Sequence, residues 1–374
     1  MSSQFRALSI IGPRQSGKTT LSKWVFGEKP YVNLEIPTVQ AEAEEDTAAF
    51  LKKYPGGAIL DEVQRAPDIF RHLQGILDNK KARGQFILTG SNNFLLQERI
   101  SQSLAGRIGY LQLLPLSYAE LQNEGLAVDN VHKHILTGGY PEIWDQQLIA
   151  GKWMSAYVQT YVQRDVRLLR NITDLGSFTR FLMLCANYAG QLVNREEIAR
   201  SIGVDTKTIQ AWLGVLESSY IIYLLQPWYN NLNKRIIKTP KLYFYDTGLL
   251  CHLLGISTQA ALQKHPLYGS LFENWIITEI KKNRFNQGIN GGLFFFRDSA
   301  GNEVDLIMEK QGMPVAVEIK AAKKLQNAML GGLRYWLKNN PPPRGQGLLV
   351  YGGTKAASYG EQIQAVGWKD VADI

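Results

Sequence analysis

The chain has 374 residues, 45% of them hydrophobic and 20% charged, with a formal net charge of +8 and an isoelectric point near 9.2. This is the balance of a globular protein long enough for two or three domains, each with its own core. It excludes a bilayer-spanning helix, because no apolar run approaches the roughly 18 residues required. No basic n-region leads into an apolar h-region. Cys185 and Cys251 lie far apart in apolar surroundings, without zinc or disulfide spacing. A cytoplasmic protein with reduced thiols and no membrane partner is expected, and the positive charge favours an acidic polymer as partner.

The first element is a short buried strand, Ala7–Ile11 (ALSII), followed by a G-x-x-x-x-G-K-[ST] run and an apolar-periodic helix over 20–26. Glycines let the backbone wrap a polyphosphate, so that N–H groups and the helix N-terminus point at the anion. Gly12, Pro13, Arg14, Gln15, Ser16, Gly17, Lys18, Thr19 and Thr20 are the expected nucleotide-binding residues. Lys18 would reach the β- and γ-phosphates, and the Thr19 hydroxyl would ligate Mg²⁺. The acidic stretch 42–46 is expected to open a solvent-facing helix.

Residues 56–62 (GGAILDE) are an apolar run ending in two acids, as in a buried parallel strand whose carboxyl end faces a ligand. Asp61 is expected to hold Mg²⁺ and Glu62 to polarise the attacking water. A second apolar strand, 85–88, leads into Thr89-Gly90-Ser91-Asn92, where Asn92 or Ser91 would sense the γ-phosphate or position water. Arg107 is a candidate arginine finger reaching into a neighbouring subunit of a homo-oligomer; the alternative is an ordinary surface arginine. Residues 1–116 thus read as a P-loop ATPase core, an α/β domain with a parallel sheet.

Helical periodicity takes over in 117–190, read as a helical lid: Tyr118–Asn123, 131–136, 153–169 and 175–188, with a Gly138-Gly139-Tyr140-Pro141 turn. In 191–239, two short amphipathic helices, 196–201 and 207–218, flank Gly203 and an Asp205-Thr206 cap. Strands over 221–225 and 236–245 would make this a winged helix-turn-helix. Its second helix would offer Lys207, Thr208 and Gln210 to a DNA groove, or serve only for packing.

The last part, 240–374, orders its elements α-β-β-β-α-β. Glu273 lies on a helix over 271–281, followed by strands Leu293–Arg297, 303–308 with Asp305, and 315–320 with Glu318 and Lys320. A helix over 328–338 and a strand over 347–351 complete the order. Alternation puts Glu318 and Lys320 on one face. Asp305 and Glu318 are candidate metal ligands, since gathered carboxylates can hold a Mg²⁺ that clamps a phosphodiester. Lys320 would orient water or stabilise developing charge. Salt-bridged acids on a binding platform are the alternative.

Several long phrases resemble a family of prokaryotic AAA-like P-loop ATPases, related to archaeal ATPases, with a C-terminal PD-(D/E)XK nuclease core. They are GPRQSGKTT, GGAILDEVQRAPDIF, GQFILTGSNN and SLAGRIGYLQLLPLS, then KTPKLYFYDTGLL, HPLYGSLFENWIITEI, FFFRDSAGNEVDLIM and AVEIKAAKK. The resemblance covers nearly the whole chain. It implies ATP as nucleotide, Lys18, Thr19, Asp61 and Glu62 as its site, and Glu273, Asp305, Glu318 and Lys320 as a nuclease-like set in a restriction-endonuclease-like domain. Family members usually carry a longer segment before the P-loop strand, so an element shielding the adenine is expected to be missing or supplied elsewhere. The resulting expectation is an ATPase coupling nucleotide state to a DNA-directed, Mg²⁺-dependent nuclease module. Its alternative is an ATP-gated regulatory or assembly switch whose nuclease-like domain is an inactive binding platform.

Overall fold

The computed structural model describes residues 2–79, 82–90, 100, 104–166, 172, 174–228, 238–340 and 346–374. The chain divides into two units, Met1–Pro115 with Ser218–Tyr220, and Leu116–Glu217 with Ile221–Ile374. In the first, β1 (Ala7–Ile11), β2 (Tyr31–Asn33), β3 (Ile59–Asp61), β4 (Phe86–Thr89) and β5 (Ile108–Gln112) form a sheet in the order β2-β3-β4-β1-β5. Every neighbouring pair is parallel. The strands read as apolar runs because both faces are covered. Ala7, Ile11, Leu60 and Leu88 pack on one side with Phe50, Phe70 and Leu73 of the helices. Leu8, Ile10, Ile59 and Ile87 pack on the other. Strand β5 escapes a sequence reading because the glycine in IGYLQ and its half-buried end blur the apolar run.

The acidic stretch departs from expectation. It closes the helix Pro37–Glu45 instead of opening one, and Asp46 caps the next helix, Thr47–Lys52, by accepting from the Ala49 N–H at 2.9 Å. Pro37 explains the shift: proline suits a first helical turn, so the helix starts there and runs out into the acids.

The second unit begins with Tyr118–Asn123, capped by a reciprocal Ser117–Glu120 pair. The helix expected over 153–169 is α-helical only over Ala150–Thr160 and continues as a π-type turn, Tyr161–Val166. Its last expected residues, 167–169, lie outside the described residues. Helices Arg195–Ile202 and Thr206–Ser218 are joined through Gly203, and the second buries Ile209, Trp212, Leu213 and Leu216. Lys207 and Gln210 are exposed, while the Thr208 hydroxyl turns back onto Asp205 at 2.9 Å. Strands β6 (Ile222–Leu225) and β7 (Lys241–Phe244) pair antiparallel. Of the strand expected over 236–245, residues 236 and 237 lie outside the described set, and 238–240 are not strand.

The helix Tyr268–Asn286 is buried almost all round, and Asn274, Lys282 and Asn283 are matched to backbone groups. Asn274 accepts from the Phe244 N–H and donates to the Phe244 carbonyl, both at 2.8 Å, so its amide extends the edge of β7. Strands β8 (Leu293–Arg297), β9 (Glu303–Lys310), β10 (Met313–Lys320), β11 (Gln346–Tyr351), β12 (Ala357–Tyr359) and β13 (Ile363–Gly367) form a sheet in the order β12-β13-β11-β10-β9-β8. β10, β11 and β13 run parallel; β8, β9 and β12 are antiparallel to their neighbours. Helix Gly331–Asn339 crosses over from β10 to β11 and buries Leu333, Trp336 and Leu337. Among the described residues, no helix is long and apolar enough to cross a membrane.

A cluster of rings gives this unit a pH dependence. His134 lies among Tyr118, Trp144, Trp275 and Trp368 at centroid distances of 4.9–6.1 Å, with Nε2 2.9 Å from the Val128 carbonyl. Burial lowers its pKa to about 4, against about 6.5 in an unfolded chain. Between those values the unfolded chain binds a proton that the folded one does not, so stability falls as pH falls, by at most about 1.4 kcal/mol per pH unit. Thermal melts of wild type and His134→Phe across pH 4 to 6.5 check this. The variant is expected to lose stability less steeply; equal slopes would rule the histidine out.

Candidate functional site

The phosphate-binding loop leaves β1 at the carboxyl edge of the parallel sheet. Gly12 is required there, because a Cβ at its position would lie 2.0 Å from the Leu113 carbonyl oxygen. Gln15 (φ 59°) and Gly17 (φ 90°) turn the chain into the helix Lys18–Val25, and the Ser16 hydroxyl donates to the Pro13 carbonyl at 3.0 Å. Lys18 is buried, and its ammonium donates to the carbonyls of Gly12 (3.0 Å) and Pro13 (2.5 Å). Burial lowers its pKa to about 8, opposed by the charges of Glu62 and Asp61. Thr20 is exposed on the first helical turn.

Asp61 ends β3 and is the acceptor at the centre of the site. Its Oδ2 accepts from the Thr19 hydroxyl and the Tyr31 hydroxyl, each at 2.8 Å. Its Oδ1 accepts from the Thr89 hydroxyl and, at 3.1 Å, from the Glu62 N–H. Burial and the bond to Asp61 raise the Tyr31 pKa. Glu62 follows in a left-handed conformation (φ 55°), rare for a non-glycine residue and concentrated at functional sites, with its carboxylate accepting from the Gln64 amide. Thr19, Lys18, Asp61 and Glu62 therefore converge. Tyr31 and Thr89 were not foreseen; β2 and β4 bring them in from either side of β3. A polar residue closing an apolar run, as Thr89 does, was the available signal.

Asn92 and Ser91 lie outside the described residues. Arg107 grips Asp78 of the helix Asp68–Asn79 with two bonds, 2.6 and 2.9 Å. A finger role would require that pair to open.

A second cluster occupies the six-stranded sheet. The β9–β10 register sets Val317 opposite Leu306, so Glu318 falls opposite Asp305 on the same face. Lys320 Nζ lies 2.6 Å from Glu318 Oε1 and 3.4 Å from Asp305 Oδ2, and the Ile319 N–H donates to Asp305 Oδ2 at 2.8 Å. Glu318 Oε2 is buried and, among the described residues, without a hydrogen-bond donor. Glu273 turns toward β7 instead: Tyr243 donates to its Oε1 at 2.5 Å, and Lys241 Nζ lies 3.5 Å away. Lys241 is also 2.5 Å from Glu303.

Burial raises the pKa of both Glu273 and Glu318, the Asp305 charge adds to the rise, and the lysines oppose it. Burial works against the Lys241 ammonium, but Glu273, Asp305 and Glu303 outweigh it and raise its pKa. The four expected residues are thus in one region, divided between two lysines. Lys241, Tyr243 and Glu303 complete the set. They escaped the sequence reading, although Lys241 and Tyr243 share a face of β7 by simple alternation. Among the described residues, no group of three or more His, Cys, Asp or Glu is arranged to hold a metal ion.

Residues 4–122 match the model of a family described as AAA domain. Residues 128–260 and 268–371 match two domains of unknown function, DUF8612 and DUF4143. The uncharacterized protein Rv2008c of Mycobacterium tuberculosis is 31% identical over 314 residues, covering 83% of this chain and 69% of its own, and Mb2031c of Mycobacterium bovis aligns identically. An uncharacterized Haemophilus influenzae protein is 24% identical over 62% of this chain and 58% of its own. Among solved structures, a Walker-type ATPase of Pyrococcus abyssi aligns at 14% identity over 67% of this chain and 91% of its own, with a TM-score of 0.45. The chain is a P-loop ATPase-type protein with an N-terminal AAA domain, and it belongs to the same family as the mycobacterial proteins Rv2008c and Mb2031c.

Proposed function

We propose that the N-terminal unit binds and hydrolyses ATP with Mg²⁺, and that the rest of the chain is a DNA-directed module governed by nucleotide state. The observation that carries the reading is the 2.8 Å contact between the Thr19 hydroxyl and the Asp61 carboxylate beside the buried Lys18. A hydroxyl and a carboxylate oxygen side by side fit Mg²⁺, which takes one or two protein ligands and draws the rest from water and phosphates. Bound there, the ion would neutralise charge between the β- and γ-phosphates. Lys18 would release the Gly12 and Pro13 carbonyls to pair with phosphate. Glu62 would accept a proton from the attacking water, and Asn92 would orient it. Arg107 would leave Asp78 to meet the nucleotide of a neighbouring subunit in a homo-oligomer.

The proposed division is an ATPase core over 1–116, a helical lid over 117–190, a winged helix-turn-helix over 191–239 and a restriction-endonuclease-like domain over 240–374. The location is proposed as the cytoplasm. In the last domain, Asp305 and Glu318 would hold Mg²⁺; the orphaned Glu318 Oε2 supports this. Lys320 would then balance developing charge, and Glu273 would serve through Tyr243 and Lys241. A second reading has its own support: lysine ammoniums already neutralise these acids, as they would on a binding platform gated by ATP.

The discriminating experiment incubates the whole chain with plasmid, linear and single-stranded DNA, with and without ATP and Mg²⁺. Cleavage that needs Mg²⁺ and vanishes in Asp305→Ala supports the nuclease reading. Salt-sensitive DNA binding without cleavage supports the platform. No ATP turnover under any condition would remove the central claim.

A further inference from the structure

A cavity of about 740 Å³ opens in the second unit at the carboxyl ends of β10 and β11, beyond the acid cluster. Ligands of α/β sheets collect at such ends. One wall consists of the two loops that follow these strands, 321–325 and 352–355. They press together closely: a Cβ on Gly352 would lie 2.3 Å from the Ala321 carbonyl oxygen, and one on Gly353 would lie 2.6 Å from that of Lys323. The Tyr351 hydroxyl pins the second loop, donating to the Lys355 carbonyl at 3.0 Å and accepting from the Lys355 N–H at 2.9 Å. This packing gathers Lys323, Lys324 and Lys355 on one wall, exposed and, among the described residues, without an ion-pair partner. Asp129 also lines the cavity, but Lys369 neutralises it at 2.7 Å.

Beside Asp129, the opposite wall is polar and uncharged. Asn130 donates to Gln259 at 3.1 Å, Gln263 lies 3.4 Å from His132, and the His132 ring stacks on Tyr268. Trp368 also lines the cavity, but it is buried in the ring cluster around His134. Burial and the Lys323 charge both lower the His132 pKa, which fits two walls facing each other. The volume lies within the range of small-molecule sites. Ammoniums on one side take phosphate; exposed carboxamides on the other take a hydrogen-bonding body.

We propose that this cavity is a second ligand site, specific for a nucleotide-sized phosphate ester and separate from the P-loop. It does not depend on the nuclease reading. The phosphate ester comes from a free nucleotide or from the phosphorylated end of a nucleic acid strand.

The test uses the full chain carrying Lys18→Ala, which silences the P-loop, with thymidine 3′,5′-bisphosphate as probe in equilibrium dialysis. One bisphosphate is expected per chain. Thymidine is not expected to bind, and inorganic phosphate should bind at least roughly tenfold more weakly, the factor that 1.4 kcal/mol represents. Lys323→Glu and Lys355→Glu should each weaken the probe by roughly tenfold or more, as loss of a charge-assisted bond does. Both lysines are exposed, so the melting temperature should not change. Displacement of the probe by a 5′-phosphorylated octamer, but not by its 5′-hydroxyl form, assigns the site to strand ends. No displacement by either assigns it to free nucleotides. Absence of probe binding, equal affinity in the charge-reversed chains, or equal binding of inorganic phosphate overturns the proposal. Failure of ATP hydrolysis in the otherwise wild-type chain would strike the P-loop reading alone.

Discussion

Lys18→Ala is expected to weaken ATP binding by roughly 30-fold to several thousand-fold, the range for removing one partner of a buried, hydrogen-bonded charge pair. The lysine is almost completely enclosed, and among the described residues its ammonium donates to the Gly12 and Pro13 carbonyls, neutral groups that a triphosphate would replace with charge. Alanine leaves the loop glycines and their backbone N–H groups in place, so the loss should fall on affinity and not on folding. Glu62→Gln is expected to behave differently. It removes only the capacity to accept a proton, so binding should change little while turnover falls by roughly 10²–10⁴. Equilibrium titration with a fluorescent ATP analogue, beside steady-state phosphate release, separates the two. Equal effects of both substitutions on affinity would remove Glu62 from the water-activating role.

Lys241→Met should have the largest effect on stability in the second unit. The ammonium is enclosed, 2.5 Å from Glu303 and 3.5 Å from Glu273, and methionine preserves most of its volume. Removing one partner of a buried ion pair leaves an uncompensated charge, at a cost of about 3–5 kcal/mol. The remaining acids relieve part of this by taking up protons, so the loss should deepen as pH rises. Adding Glu273→Gln to Lys241→Met should restore much of the stability, because Glu303 keeps Arg297 at 3.2 Å while Glu273 is, among the described residues, the acid left without an ammonium; the two sites are in contact and their effects are not additive. Chemical denaturation of the two variants and wild type measures both terms. A loss under about 1 kcal/mol for Lys241→Met would mean that water reaches the cluster and that the lysine is not its counter-ion.

How much was legible in the sequence depends on the range of the interaction. The phosphate loop is written in consecutive residues, and Gly17 is demanded by its local left-handed backbone, although the close approach of Leu113 to Gly12 is a tertiary contact. β1, β3 and β4 were visible as apolar runs, because burial on both faces leaves no room for polar residues. Strand alternation was enough to put Glu318 and Lys320 on one face. The short edge strands β2 and β12 carry little signal, since three residues are too few to show a period. The helix start at Pro37 was a matter of one residue outweighing a charged stretch.

What the chain alone determined, then, is which side chains share a loop, a strand face or a helix turn, because those relations follow from covalent spacing. Tertiary structure decided which elements stand beside one another. The sheet order β2-β3-β4-β1-β5 surrounds Asp61 with Tyr31 and Thr89, and pairing of β9 with β10 sets Asp305 against Glu318. Lys241 reaches Glu273 and Glu303 only because β7 lies against the helix and strand that carry them. The lysines of two separate loops share a wall because adjacent parallel strands end side by side. Burial then changes the chemistry of these groups, lowering the pKa of Lys18 and raising those of Glu273 and Glu318. Desolvation depends on everything packed around a group, and spacing along the chain does not encode it.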